Sequence, residues 1–164
     1  MSASSWIEAT CDAMIAKLEA DLPAKLEAIN AEVTDGFTVD PPTGISIGER
    51  AEPTYPWIVV APSRSALDKD TGERIVYEHL VTLESVYWAQ GEDELIRKLL
   101  RFGRAVREVA LKDRYPGVGL GQGGWGLRFK GDAYGRMIRV EGEGGAGFIK
   151  MVATTVGVRQ QQTV

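Results

Sequence analysis

Between Trp57 and Ala89 the chain holds two β-rich runs, WIVVA at 57–61 and IVYEHLVTLESVYWA at 75–89, separated by PSRSALDKDTGER. No other feature restricts the fold as strongly. β-branched and aromatic residues suit a pleated, half-buried surface, while the Pro, Ser, Asp and Gly between them are turn formers, so the pair predicts an antiparallel hairpin. The segment that follows, GEDELIRKLLRFGRAVREVALKD, opens with acids and closes with bases, as the helix dipole favours. It predicts a central helix over about 91–112. At 100° per residue Leu95, Leu99, Phe102, Val106, Val109 and Ala110 share one side, which should pack on the sheet. Arg97, Arg101, Arg104, Glu108 and Lys112 share the other.

Helical spacing also runs from Ser4 or Ser5 to about Val33, through Ile7, Met14, Ile15, Leu18, Leu22, Leu26 and Ile29. Ser5 and Glu8 have the spacing of a capping box. Pro23 has no N–H and crowds the preceding turn, so a kinked or split helix is expected there, closed by Asp35-Gly36. Short extended pieces are expected at Phe37–Val39 and Ile45–Ile47. From Tyr115 to Gly147 the chain places 12 of its 19 glycines, with WGLRF and RMIRV as short strands between them. This predicts a Gly-rich excursion over 113–147, a mobile loop or β-arm, whose Tyr115, Trp125, Phe129 and Tyr134 gain order by docking on a neighbour. FIKMVATTVGV alternates as a sheet strand, and residues 159–164 read as a frayed polar tail. The fold class expected is α+β: one domain over 1–164, a mostly antiparallel sheet flanked by an N-terminal and a central helix.

At 164 residues, with 44% hydrophobic and 26% charged, the chain has the length and balance of a single globular domain. Its apolar runs are far shorter than the roughly 20 residues of a membrane span, and no targeting segment opens it, so no membrane role is expected. Charge is unevenly spread. Residues 1–90 hold 15 acids and 6 bases, an excess of 9 negative charges, whereas residues 91–164 hold 8 acids and 13 bases, an excess of 5 positive ones. Internal pairing, a basic surface for nucleic acid, or opposite surfaces meeting head to tail in an oligomer would each account for this.

Motifs that suggest chemistry fail on context. Gly119, Gly121 and Gly124 have GxGxxG spacing, yet they run toward a strand, and a phosphate site needs a helix N-terminus there. Ser46 lies in GxSxG without the helix that an elbow requires, and His79 is the only histidine to serve it. Asp68, Asp70 and Gly72 begin like a calcium loop, but its sixth and twelfth positions are Glu73 and His79, so a hairpin turn explains them. His79 is expected on the sheet surface or at a contact. Cys11 is alone and reads as a reduced, partly buried helix residue. No zinc spacing, catalytic residue or cofactor site is expected. The Arg97, Arg101 and Arg104 stripe reads as a solvated face or, if the helix recurs around a channel, as the lining of a path for a polyanion.

The order of N-terminal helix, irregular strands, the hairpin of YPWIVVAP and HLVTLESVYWAQ, the helix EDELIRKLLRFGRAVREVAL, a Gly-rich stretch and the strand FIKMVATTVGV resembles the tail terminator, or tail completion, proteins of long-tailed bacteriophages. It also resembles the similar small neck proteins. The resemblance covers roughly residues 5–158 and rests on element order, not on a motif. It implies a virion protein at the tail-neck junction, assembled in the host cytoplasm. Such a protein forms a homo-oligomeric ring, usually a hexamer, that caps the tail tube protein and meets the head-tail connector or stopper. DNA passes its lumen without being held. The alternatives are a neighbouring connector or neck protein, a nucleic-acid-binding module using the arginine stripe, or a small hydrolase using Ser46 and His79.

Overall fold

The computed structural model describes residues 3–48, 54–112, 124–142 and 145–163. In chain order the elements are α1 (Ala3–Glu32), β1 (Gly44–Ser46), β2 (Trp57–Asp70), β3 (Arg74–Ala89), α2 (Glu92–Ala110), β4 (Gly124–Tyr134), β5 (Ile138–Gly142) and β6 (Gly145–Thr163). The fold is α+β. Its sheet runs β1-β2-β3-β6-β4, with β5 also paired to β6, and every pairing is antiparallel except β1 with β2.

The expected hairpin forms the middle of the sheet and is longer than the sequence suggested. β2 continues through PSRSALDKD to Asp70, which pairs with Ile75, leaving only residues 71–73 to turn. Asp70 Oδ1 accepts the Gly72 N–H at 2.8 Å, so the carboxylate holds the turn. Two register shifts, at Pro62/Arg64 and Leu67/Lys69, absorb residues that suit a strand poorly.

β3 is paired along its whole length with β6 and from Ile75 to Val86 with β2, and its residues alternate. Val81, Leu83, Tyr87 and Ala89 are buried under the helices, while Thr82, Glu84, Val86 and Trp88 are half-buried on the face that no helix covers among the described residues. Ile58 and Val60 of β2 and Val152, Val156 and Val158 of β6 join the same buried layer. Both helices lie on that one face, α1 against β1 and β2, α2 against β3 and β6. The stripe read from the α2 sequence is the buried one: Leu95, Leu99, Phe102, Val106, Val109 and Ala110. Phe102 meets Tyr87 edge-on at 5.6 Å. Gly103 lets α2 lie close to the sheet, since a Cβ there would sit 3.0 Å from Val152 Cγ1.

Several expectations are corrected. Of the two outcomes expected at Pro23, the split is not seen: α1 is one element with Pro23 inside it. An internal proline costs about 3 kcal/mol, but Pro23 is exposed while Leu18, Leu22 and Leu26 are buried on the opposite side, and their packing outweighs the lost hydrogen bond. The helix already includes Ala3, so Ser5 is inside it and does not cap it. Phe37–Val39 is not a strand, because the Asn30 side chain accepts the Val39 N–H at 2.8 Å and donates to the Val39 carbonyl at 3.0 Å. Cys11 is fully buried in the core, which raises its thiol pKa by desolvation, with Asp12 adding to the effect.

Two further corrections concern the second half. From Gly124 onward the Gly-rich stretch is not an excursion but the edge of the sheet, with β4 and β5 lying in line along β6. Gly135 donates its N–H to Met151 O at 2.9 Å across the break between them. Some of these glycines provide room and not mobility: a Cβ on Gly147 would lie 2.6 Å from the Trp88 indole. The C-terminal residues are not frayed either. β6 extends to Thr163, opposite Arg74, because the long β3 strand offers backbone partners regardless of how polar the side chains are.

Candidate assembly surface

α2 presents three sides. One faces the sheet, and one faces α1. The third, at roughly 100° from the buried stripe, carries Ile96, Leu100, Gly103 and Arg107. Gly103 approaches Val152, whose neighbour in β4 is Tyr134, and Arg107 bonds Asp132 at 2.8 Å while its guanidinium sits 5.5 Å from the Phe129 ring. This side of α2 and the inner side of β4 therefore form one continuous flank. On it Ile96 is 42%, Leu100 50%, Phe129 43% and Tyr134 52% exposed, whereas the exposed Ile138 of β5 pairs with Ile149 and so lies on the opposite face of the sheet, with Trp88. Only two other large apolar side chains among the described residues are exposed, Ile47 and Leu67, both at the β1–β2 end of the sheet. Covering a large apolar side chain is worth about 1.5–3 kcal/mol when complete, so this flank alone could supply several kcal/mol to a partner.

Phe129 and Tyr134 were read from the sequence as docking residues, and the structure brings them together on this flank. Trp125 belongs to β4 opposite Arg159, and Tyr115 lies outside the described residues. Sequence reasoning missed Ile96 and Leu100. Their signal was an i,i+4 apolar pair lying off the main stripe.

The arginine stripe turns toward α1 and is built into ion pairs. Arg97 bonds Asp93 at 3.0 Å and reaches Asp35 at 3.7 Å. Arg101 pairs with Asp35 and donates to Phe37 O at 2.8 Å. Arg104 donates to Glu32 at 2.8 Å and Glu108 at 2.9 Å. The Arg101 hydrogen bond holds the Asp35 carboxyl below its usual pKa, and Lys25 with Arg104 does the same for Glu108. The pKa of Arg104 is raised by its two carboxylate partners. A polyanion would have to displace these acids, so the stripe is a neutralised seam between the helices and not a bare cationic track.

The residues singled out for catalysis are kept apart. Ser46 Oγ donates to Gly48 O at 2.9 Å and accepts Trp57 Nε1–H at 3.0 Å. His79 is buried, contrary to the expected surface position, because it is on the helix side of β3. Its Nδ1 lies 2.7 Å from Ser65 Oγ and its Nε2 3.0 Å from Gln160 Oε1. Burial lowers its pKa, with the Gln160 hydrogen bond opposing the shift. Gly124 opens a strand, so no helix N-terminus follows the GxGxxG triplet. Among the described residues no three His, Cys, Asp or Glu side chains are grouped to hold a metal ion, and no helix is long and apolar enough to cross a membrane.

No protein-family model matches the chain, and no curated protein does. A chain from the virion of a native gene transfer agent particle is similar in structure, with a TM-score of 0.38 and 13% identity, over 88% of this chain and 95% of that one.

Proposed function

We propose that this protein is a structural subunit of a phage-type virion and works as a tail terminator: a ring that caps the tail tube and presents its other side to the head connector. Within this reading it acts by shape and self-association, without a catalytic residue or cofactor, and DNA passes through the ring unread. Support comes from the order of elements, which resembles that family, and above all from the exposed apolar flank of Ile96, Leu100, Phe129 and Tyr134. A soluble domain rarely leaves that much apolar area contiguous unless a partner covers it. The flank lies on regular elements packed to the core, so it is presented rigidly.

Electron microscopy and light scattering of the purified protein, alone and with tail-tube protein, test this reading. Rings, or caps on tube ends, are expected. A protein that stays monomeric at high concentration and binds neither tube nor connector would overturn it.

A further inference from the structure

We infer that the α1–β1 flank of one copy is the partner of the α2–β4 flank of the next, so that identical chains join head to tail, an acidic surface meeting a basic one. This rests on the assembly role proposed above and names the surfaces that carry it. The argument starts from topology. β1, β2 and α1 occupy one end of the molecule, and β6, β4, β5 and α2 the other, with β3 between them. The charge difference between the halves of the sequence is therefore a difference between two ends in space.

Part of it is neutralised inside the molecule, by Asp21 with Lys112, Glu32 with Arg104, Asp35 with Arg97 and Arg101, Asp68 with Arg159, and Glu78 with Lys130. What remains keeps the same polarity. Glu8, Asp12, Glu19 and Glu27 are exposed on α1 and make no ion pair among the described residues. Glu19 lies with Pro23, Pro41 and Pro42 in the crevice beside β1, which places this acidic ridge on the β1 flank. At the far edge Arg128 of β4, Arg136 in the connection and Arg139 of β5 are exposed and equally without an ion pair among the described residues.

Each end also carries exposed apolar side chains, Ile47 on the acidic one and Ile96, Leu100, Phe129, Tyr134 and Ile138 on the basic one. A nucleic acid would satisfy the arginines but leave those apolar groups in water. A second copy satisfies both, and because the two surfaces differ and lie at opposite ends, the contact is heterologous and propagates into a ring when its rotation closes.

Charge-reversed variants test the pairing. One carries Arg128→Glu, Arg136→Glu and Arg139→Glu; the other carries Glu8→Lys, Asp12→Lys and Glu19→Lys. Sedimentation and native mass spectrometry should show each variant alone assembling at least about a hundredfold more weakly than the unaltered chain, since like charges then face each other. An equimolar mixture should assemble again, and only into even-numbered rings, because each variant can accept only the other on both sides. That rescue also shows both variants to be folded. Rings that persist in either variant alone, or a mixture that stays dissociated, overturn the inference and leave the assembly role standing. Failure of the unaltered chain to assemble by itself or on tubes overturns the assembly role instead. Loss of DNA retention with self-association intact would assign the arginine edge to a polyanion and also overturn the inference.

Discussion

Leu99 and Leu100 are neighbours in sequence and identical in chemistry, yet Leu99 is 1% exposed in the core and Leu100 is 50% exposed on the flank. Leu95 and Ile96 repeat the contrast one turn earlier, at 0% and 42%. One side of α2 holds the domain together, whereas on the adjacent side Ile96 and Leu100 remain about half in solvent. Hydrophobicity by itself therefore says little about purpose. A buried leucine is accounted for by the fold, whereas two exposed ones at i,i+4, set beside exposed aromatic rings from another element, call for a partner.

The strongest way to break this comparison is to truncate both sides. Leu99→Ala should cost about 2–5 kcal/mol of stability, measured by urea denaturation, through lost burial and the cavity left against the sheet. A smaller cost would mean that the inner side is loosely packed.

Titration probes the same contrast in ionisable groups. His79 is buried with its folded pKa below the ordinary 6.5, so the unfolded chain binds the proton more readily. Its contribution to stability should be complete above about pH 6.5 and lost as pH falls toward the folded value. Asp35 and Glu108 also have lowered folded values, from 3.8 and 4.5, so their contribution should persist to more acidic pH and be lost below that range. Urea midpoints measured from pH 8 to 3 should fall in two stages; a His79→Gln variant that keeps the upper stage would remove His79 as its cause.

The smallest effect on stability is expected on the outer side. Ile96→Ser with Leu100→Ser should change the unfolding free energy by less than about 0.5 kcal/mol per site. The same pair should weaken assembly on tube ends. If it destabilises the monomer as Leu99→Ala does, the flank is part of the core and not a docking surface.

Much of this architecture was legible because it is local. The 3.6-residue stripe of α2, the alternation in β6 and the paired runs around the 71–73 turn each depend on neighbours a few positions away, and so does the polarity of charge along the chain. Strand length was not set by composition. Residues 62–70 and 159–163 look like turn and tail, and they become strands because β3 lends them backbone partners, residues 75–81 across the hairpin for the first and the distant residues 74–78 for the second. Backbone hydrogen bonds do not read side chains, so composition could not reveal them. The sequence left open whether α1 continues through Pro23 or splits there, since continuity depends on Leu22 and Leu26 finding a core to enter.

The sequence by itself determined which residues could be buried and where charge would accumulate, because both follow from side-chain chemistry and short-range periodicity. Only the tertiary structure decided which apolar residues stay in water and which charges find an internal partner. Those outcomes depend on how many elements compete for one sheet face: with α1 and α2 both packed there, no other element among the described residues covers the third side of α2 and the edge strand β4.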